Sequence, residues 1–274
     1  MTDLTITGGD VIKPIGYVQS PCLDTMDVPL GGVQAVIQVL PEYEPGLYKI
    51  SDNSHLWILS WFGQATRSML RVSPSKVNPA LPERGVFAMR SAARPNPIAL
   101  TLVELERIDG CRLFVRDYDA AEGTAVLDIK PYFEPDIIFS PRTPYLPPSD
   151  RRMRYKLLHK EALKHHGEGC LGLELAVKMA MVVEAEFGKL QAPELILSVE
   201  GDPCLADVLQ GLTRARLANP VRFTYFYSTE RKVVRWEKNG EGLAIFVRPE
   251  ASLDAAIQGD AKDLFAVEKF GRNG

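Results

Sequence analysis

Cysteine is scarce and scattered: the 274 residues hold four, Cys22, Cys111, Cys170 and Cys204. That number and spacing exclude a disulfide framework and leave reduced thiols or metal ligands as the expectation. No apolar run approaches the roughly 20 residues needed to span a bilayer. The opening stretch MTDLTITGGD has neither a basic start nor an apolar core, so a cytoplasmic location is expected. An excess of positive charge is missing too. With 32 Lys and Arg against 35 Asp and Glu, the net charge is −3. That balance argues against a nonspecific grip on a polyanion and leaves room only for a local basic surface. There is no internal repeat. What remains is a globular composition, 46% hydrophobic and 24% charged, over a length that suits one large domain or two ordinary ones.

The first half predicts β structure. GYVQSP, VQAVIQVL, SHLWILSWF, RGVFAMRS, IALTLVELERI, CRLFVRDY and TAVLDIKPYF are short, rich in Val, Ile, Leu and aromatics, and separated by Pro, Gly and Asp. Asp109-Gly110 is a hairpin signal. Many short strands without long helices between them predict a barrel or sandwich. The stretch SPRTPYLPPSD is proline-rich and biased away from helix, which makes residues 139–150 the expected linker between domains at 1–142 and 150–274.

Beyond the linker, RRMRYKLLHKEALKHHG predicts a helix capped by Asp150, with basic and His side chains suited to its C-terminal end. LGLELAVKMAMVVEAEFG predicts a buried helix ending at Gly188. ELILSVEG predicts a strand, CLADVLQGLTRARL a helix, and VRFTYFYS, KVVRWEK and LAIFVRP strands, with Asn239-Gly240 turning the last pair. Tyr225, Phe226 and Tyr227 read as strand core, and residues 252–270 as helical. The fold class is therefore α+β in two domains. The basic residues at 151–164 either guide RNA phosphate or form a solvated helix face.

The run RGVFAMRSAARPNPIALTLVEL, residues 84–105, followed by VLDIKPYF, residues 126–133, resembles the TsaA/TrmO family. That family methylates the exocyclic amine of threonylcarbamoyl-adenosine beside the tRNA anticodon, using S-adenosylmethionine (SAM). The resemblance covers residues 14–142 and implies a small antiparallel β-barrel and a homodimer. Against the family's FATRSPxRPNPIG, Met89 stands for Thr, Ala92 for Pro and Ala99 for Gly. SAM contacts carried over by position are His55, Leu56, Arg90, Leu100, and the loop Glu122, Gly123, Thr124 and Ala125, which stands for the family's DGTP. Pro29, Leu30 and Gly31 stand for Pro-Arg-Gln and lose an arginine and an amide. In-line methyl transfer needs collinear partners rather than a covalent nucleophile, so no triad is expected. Arg94 lies in the same proline-fixed segment as Arg90. Asp119 is the candidate for deprotonating the acceptor, and Asp128 is expected to pair with Lys130.

HGEGCLGLELAVKMA, residues 166–180, and VEGDPCLADVLQGLT, residues 199–213, resemble the FmdE family, named for a component of formylmethanofuran dehydrogenase. His166, Cys170, Cys204 and Asp207 match its pattern. Glu168 replaces a His, Leu171 a Pro and Ala215 a Cys. The resemblance implies that His166, Cys170 and Cys204 hold Zn2+ or another borderline metal, with Glu168 as an oxygen donor. A degenerate, metal-free site is the alternative. Together the two resemblances imply a SAM-dependent methyltransferase of tRNA or of a small, metal-associated acceptor, and the lack of long apolar runs leads to the expectation of no membrane partner. Two competing readings are a noncatalytic SAM- and metal-binding module and a metal-handling protein with a vestigial barrel.

Overall fold

Side chains that alternate between inward apolar and outward polar positions set the architecture of the first half, and the computed structural model closes them into a barrel. The structure describes Leu4, Thr5 and residues 11–271, which fall into two units, Met1–Ile137 and Ile138–Gly274. In the first unit, β1 (Leu4–Thr5) pairs with β2 (Val11–Ile12), and then come β3 (Gly16–Gln19), β4 (Val33–Val39) and β5 (His55–Trp61). A two-stranded ribbon of β6 (Arg71–Val72) and β7 (Arg84–Gly85) precedes β8 (Ile98–Asp109), β9 (Arg112–Tyr118) and β10 (Ala125–Pro131). The barrel closes in the order β10-β3-β4-β9-β8-β5, every neighbour antiparallel. Val18, Ile37, Leu56, Ile58, Val103 and Leu113 are among its buried core. Closure also removes the unpaired edges that an open sheet would expose.

Antiparallel neighbours return every second connection to the same end of the barrel. Residues 20–32, 62–97 and 119–124 therefore all open at one end, and residues 40–54 and the Gly110–Cys111 turn lie at the other. At the first end Gly32 has φ +76°, and a Cβ there would fall 2.4 Å from the Asp117 carbonyl carbon, so only glycine fits.

The second unit contains α1 (Arg151–His166), α2 (Leu171–Phe187), β11 (Leu195–Gly201), α3 (Pro203–Thr213), β12 (Phe223–Tyr227), β13 (Val233–Lys238) and β14 (Glu241–Val247). It ends with α4 (Leu253–Gln258), α5 (Ala261–Leu264) and β15 (Phe265–Gly271). The sheet order is β12-β11-β13-β14-β15, with only β11 and β12 parallel. One core cluster joins Leu173, Leu175 and Met179 of α2 to Leu197, Val199 and Trp236 of the sheet. Asp150 caps α1 by accepting from the Arg152 N–H at 2.8 Å, and Asn239 and Gly240 both adopt positive φ in the last hairpin.

Five local expectations are corrected. RGVFAMRS is a strand only at Arg84–Gly85. It then becomes a short 3-10 turn, because the Arg94 guanidinium donates to the carbonyls of Val86, Met89 and Ser91 and ties the segment into a loop. The first hairpin turns at Gly110–Cys111, since Asp109 is still paired with Arg112. Helix α3 stops at Thr213, where Arg214 takes the left-handed capping conformation. Residues 265–271 form a strand, because the outer edge of β14 offers an unpaired ladder that FAVEKFG completes. Phe226 and Tyr227 are exposed rather than core, and only Tyr225 packs against the cluster.

Candidate functional site

In the first unit, a cavity of about 730 Å³ lies at the end of the barrel where the three long connections open. Glu122, Gly123, Thr124 and Ala125 line it together with Tyr17 and Trp61. Backbone bonds hold that loop: Glu122 N–H donates to the Cys22 carbonyl at 2.8 Å and Gly123 N–H to that of Val18 at 2.8 Å. The Glu122 carboxylate accepts from the Ser20 N–H at 2.6 Å, and Thr124 Oγ1 donates to the Ala121 carbonyl at 2.7 Å. Gly123 has φ +72°, a conformation that favours glycine. The Arg67 guanidinium stands 5.6 Å from the centre of the Trp61 ring on the cavity wall.

The other residues carried over from the resemblance divide by position. Pro29, Leu30 and Gly31 lie in the connection that enters β4, and Gly32 N–H closes their turn on the Pro29 carbonyl at 3.0 Å. Arg90 is exposed in the connection between β7 and β8, and Leu100 is exposed on β8 two residues from its start. Asp119 is exposed just after β9 and accepts from the Thr101 hydroxyl. All of these belong to the open end of the barrel. His55 and Leu56 begin β5, whereas Trp61, at its other end, pairs with Ala125. Six strand residues place them about 20 Å away along the barrel. His55 Nδ1 bonds Ser54 Oγ at 2.9 Å, while the Leu56 side chain is fully buried in the core and offers a ligand nothing but backbone. Asp128 pairs with Lys130 at 2.7 Å.

One polar pair inside the barrel escaped the sequence. Tyr118 and Ser60 share a buried 2.5 Å hydrogen bond beside this end. Burial drives the phenol's pKa well up, helped by the charge of Asp119 and opposed by the bond from Ser60. The only hint of it was a Ser at an inward position of an otherwise apolar strand.

In the second unit three helix ends converge. His166 is the last residue of α1, Cys170 is the N-cap of α2, and Cys204 lies in the first turn of α3. Their ligand atoms all lie within 4.8 Å of one another, with His166 Nε2 3.4 Å from Cys170 Sγ. Asp207 Oδ2 sits 2.8 Å from His166 Nδ1 and so turns Nε2 toward the sulfurs. Gly172 permits this approach, because a Cβ there would lie 2.7 Å from Cys204 Cβ. Burial raises the pKa of the Cys204 thiol, and Cys170, Asp202 and Glu168 raise it further. Asp202 itself is lowered: the cost of burial is outweighed by Lys232 at 2.8 Å and by the Leu205 N–H at 3.0 Å. Glu168 is exposed.

The family match lies in the first unit. Residues 18–136 match the tRNA-methyltransferase O N-terminal domain. An S-adenosyl-L-methionine-binding protein of Archaeoglobus fulgidus is 42% identical over 126 residues, 44% of this chain and 88% of that protein. A second protein of the same organism, named a probable S-adenosyl-L-methionine-binding protein, is 29% identical over 250 residues, 87% of this chain and 68% of its own length. Among solved structures, an FmdE-like protein of the tungsten formylmethanofuran dehydrogenase type, from Syntrophus aciditrophicus, is 16% identical with a TM-score of 0.33, and the match covers 43% of this chain and 73% of that one. With a barrel of this topology and a relative matched over nearly its whole length, the chain belongs to the TrmO family through its tRNA-methyltransferase O N-terminal domain.

Proposed function

We propose that this protein is a SAM-dependent methyltransferase that binds SAM at the open end of the barrel and methylates the exocyclic amine of threonylcarbamoyl-adenosine beside the tRNA anticodon. The observation that carries this reading is the cavity of about 730 Å³ lined by the Glu122–Ala125 loop, a volume in the range of small-molecule sites. SAM, when bound, supplies an electrophilic methyl carbon on a sulfonium. The chain's own part is to hold that carbon in line with the amine. The fixed loop and the Trp61 wall orient one side of the cavity. In this reading Asp119, exposed and hydrogen-bonded to Thr101 at the same end of the barrel, takes the proton the amine gives up.

The reading includes a homodimer. His55 lies about 20 Å from the cavity loop along the strand, so it meets a ligand there only if a second copy presents it. Leu100, at 46% exposure, and Phe87, at 80%, are exposed apolar side chains available to such a contact. The test is transfer of labelled methyl from SAM to total tRNA lacking the modification. Label on the tRNA adenosine is expected, and SAM binding without transfer would redirect the search for an acceptor.

A second reading, a small or metal-associated acceptor, is favoured by the His166, Cys170 and Cys204 cluster. Two thiols and an imidazole, with Asp207 fixing the tautomer, fit Zn2+ with one position left for Glu168 or water. Zinc content that falls in the Cys170→Ser/Cys204→Ser variant is the expected result, and equal content would reject the site.

A further inference from the structure

Helix α1 carries six cations, Arg151, Arg152, Arg154, Lys156, Lys160 and Lys164, against one acid, Glu161, in 16 residues. The chain as a whole has a net charge of −3, so this is a local reversal of sign. The single acid is itself neutralised by Arg214 of the cap after α3, 3.3 Å away. Arg154 points inward, with two bonds of 2.6 and 2.5 Å to the buried Glu184. Arg151, Arg152 and Lys156 are exposed and take part in no ion pair among the described residues. Arg152 and Lys156 are an i,i+4 pair, about 6 Å apart along the axis.

Helix stability does not account for this placement. The first turn of a helix is the positive end of its macrodipole and favours acids, whereas α1 opens on two arginines and has no acid in that turn. Only the Asp150 cap meets the preference. Arg151, Arg152 and Lys156 are held where the helix itself gains nothing from them, on an exposed surface, which is the footprint of an anionic partner. Tyr155, the one aromatic of the helix, is engaged by the Glu174 carboxylate at 2.6 Å, so the surface offers charge without a stacking platform.

We propose that the first two turns of α1, through Arg151, Arg152 and Lys156, contact the phosphate backbone of the acceptor tRNA. This rests on the tRNA reading above and adds the surface by which the second unit serves it. Such contacts hold the RNA in register and do not read bases.

The test measures binding of a labelled tRNA transcript by the full chain across a salt series, for the wild type and for the variant Arg151→Glu/Arg152→Glu/Lys156→Glu. Acids at 151 and 152 suit the macrodipole and Glu is a good helix former at 156, so the variant keeps its helix, and unchanged SAM affinity checks the fold. The expected result is a loss of roughly tenfold or more in tRNA affinity, with the slope of log K against log salt shallower by about 2 to 3. A lysine variant at Arg151 and Arg152 should keep the wild-type slope. Equal affinity and slope in the glutamate variant would overturn the surface while leaving the tRNA reading intact wherever methyl transfer to tRNA persists. No tRNA affinity in the wild type would overturn both.

Discussion

The two units fill their interiors in opposite ways. The barrel core is mostly aliphatic, with Ser60, Tyr118 and Thr101 its buried hydroxyls, and the ionisable candidates Arg90, Asp119 and Glu122 stand outside on connections. The second unit draws charge inward: Glu184 is held by Arg154, Glu174 by Tyr155 and His159, and Arg222 by the carbonyls of Ala192, Leu195 and Arg214. A closed sheet satisfies its own backbone and leaves loops free to vary around a ligand. Three helices whose ends meet bring orphan donors and acceptors together, and side chains must answer them. The barrel thus presents its candidate site by shape, and the helical unit builds its own from convergent side chains.

Four substitutions test that contrast, from the largest effect to the smallest. Trp236→Ala removes the largest fully buried side chain of the second unit and should cost about 3–5 kcal/mol in chemical denaturation. SAM affinity, measured on the protein that remains folded, should not move if the barrel core is self-sufficient. Tyr118→Phe leaves Ser60 buried without its partner and should cost about 1–3 kcal/mol. A loss near zero would mean that the barrel tolerates polar groups as freely as the other unit. Gly172→Ala pushes a methyl against Cys204 and the Leu205 backbone. An overpacking cost of about 1–3 kcal/mol together with weaker zinc binding is expected, and unaltered zinc affinity would show that the three ligands do not depend on the α2–α3 approach.

Asp202→Asn keeps a cap for α3 and loses the charge facing Lys232, so a loss of under about 1 kcal/mol is expected. Its sign with pH is fixed. The folded pKa is lowered, so the stabilisation is present above the ordinary aspartate value and disappears as acid carries the pH down through the lowered one. Denaturation curves of wild type and variant should therefore converge in acid.

Much of the fold was legible because periodicity is a local property. The alternation in VQAVIQVL and HLWILSW marked barrel strands, and the Asp150 cap, the Gly188 stop and the Asn239-Gly240 turn were chemical signals that held. Residues 86–91 and 265–271 were misread because a distant partner decides them: Arg94 ties down the first, and the β14 edge recruits the second. The metal candidates His166, Cys170 and Cys204 could be picked out as residue types, but only the meeting of three helix ends puts their atoms within 4.8 Å. The candidate SAM contacts came from resemblance alone. Their division between the two ends of the barrel follows from strand direction and register, which no local pattern shows.

That division gives the most direct test of the account. His55→Ala alters one end of the barrel, and Gly123→Val strains the loop at the other, where φ is +72°. Each variant alone should lose SAM binding in calorimetric titration. Mixed and allowed to exchange protomers, the two should regain it, because one junction of the mixed dimer pairs an intact loop with an intact His55. Binding that stays absent in the mixture, with both variants folded and dimeric, would contradict a site shared between two copies.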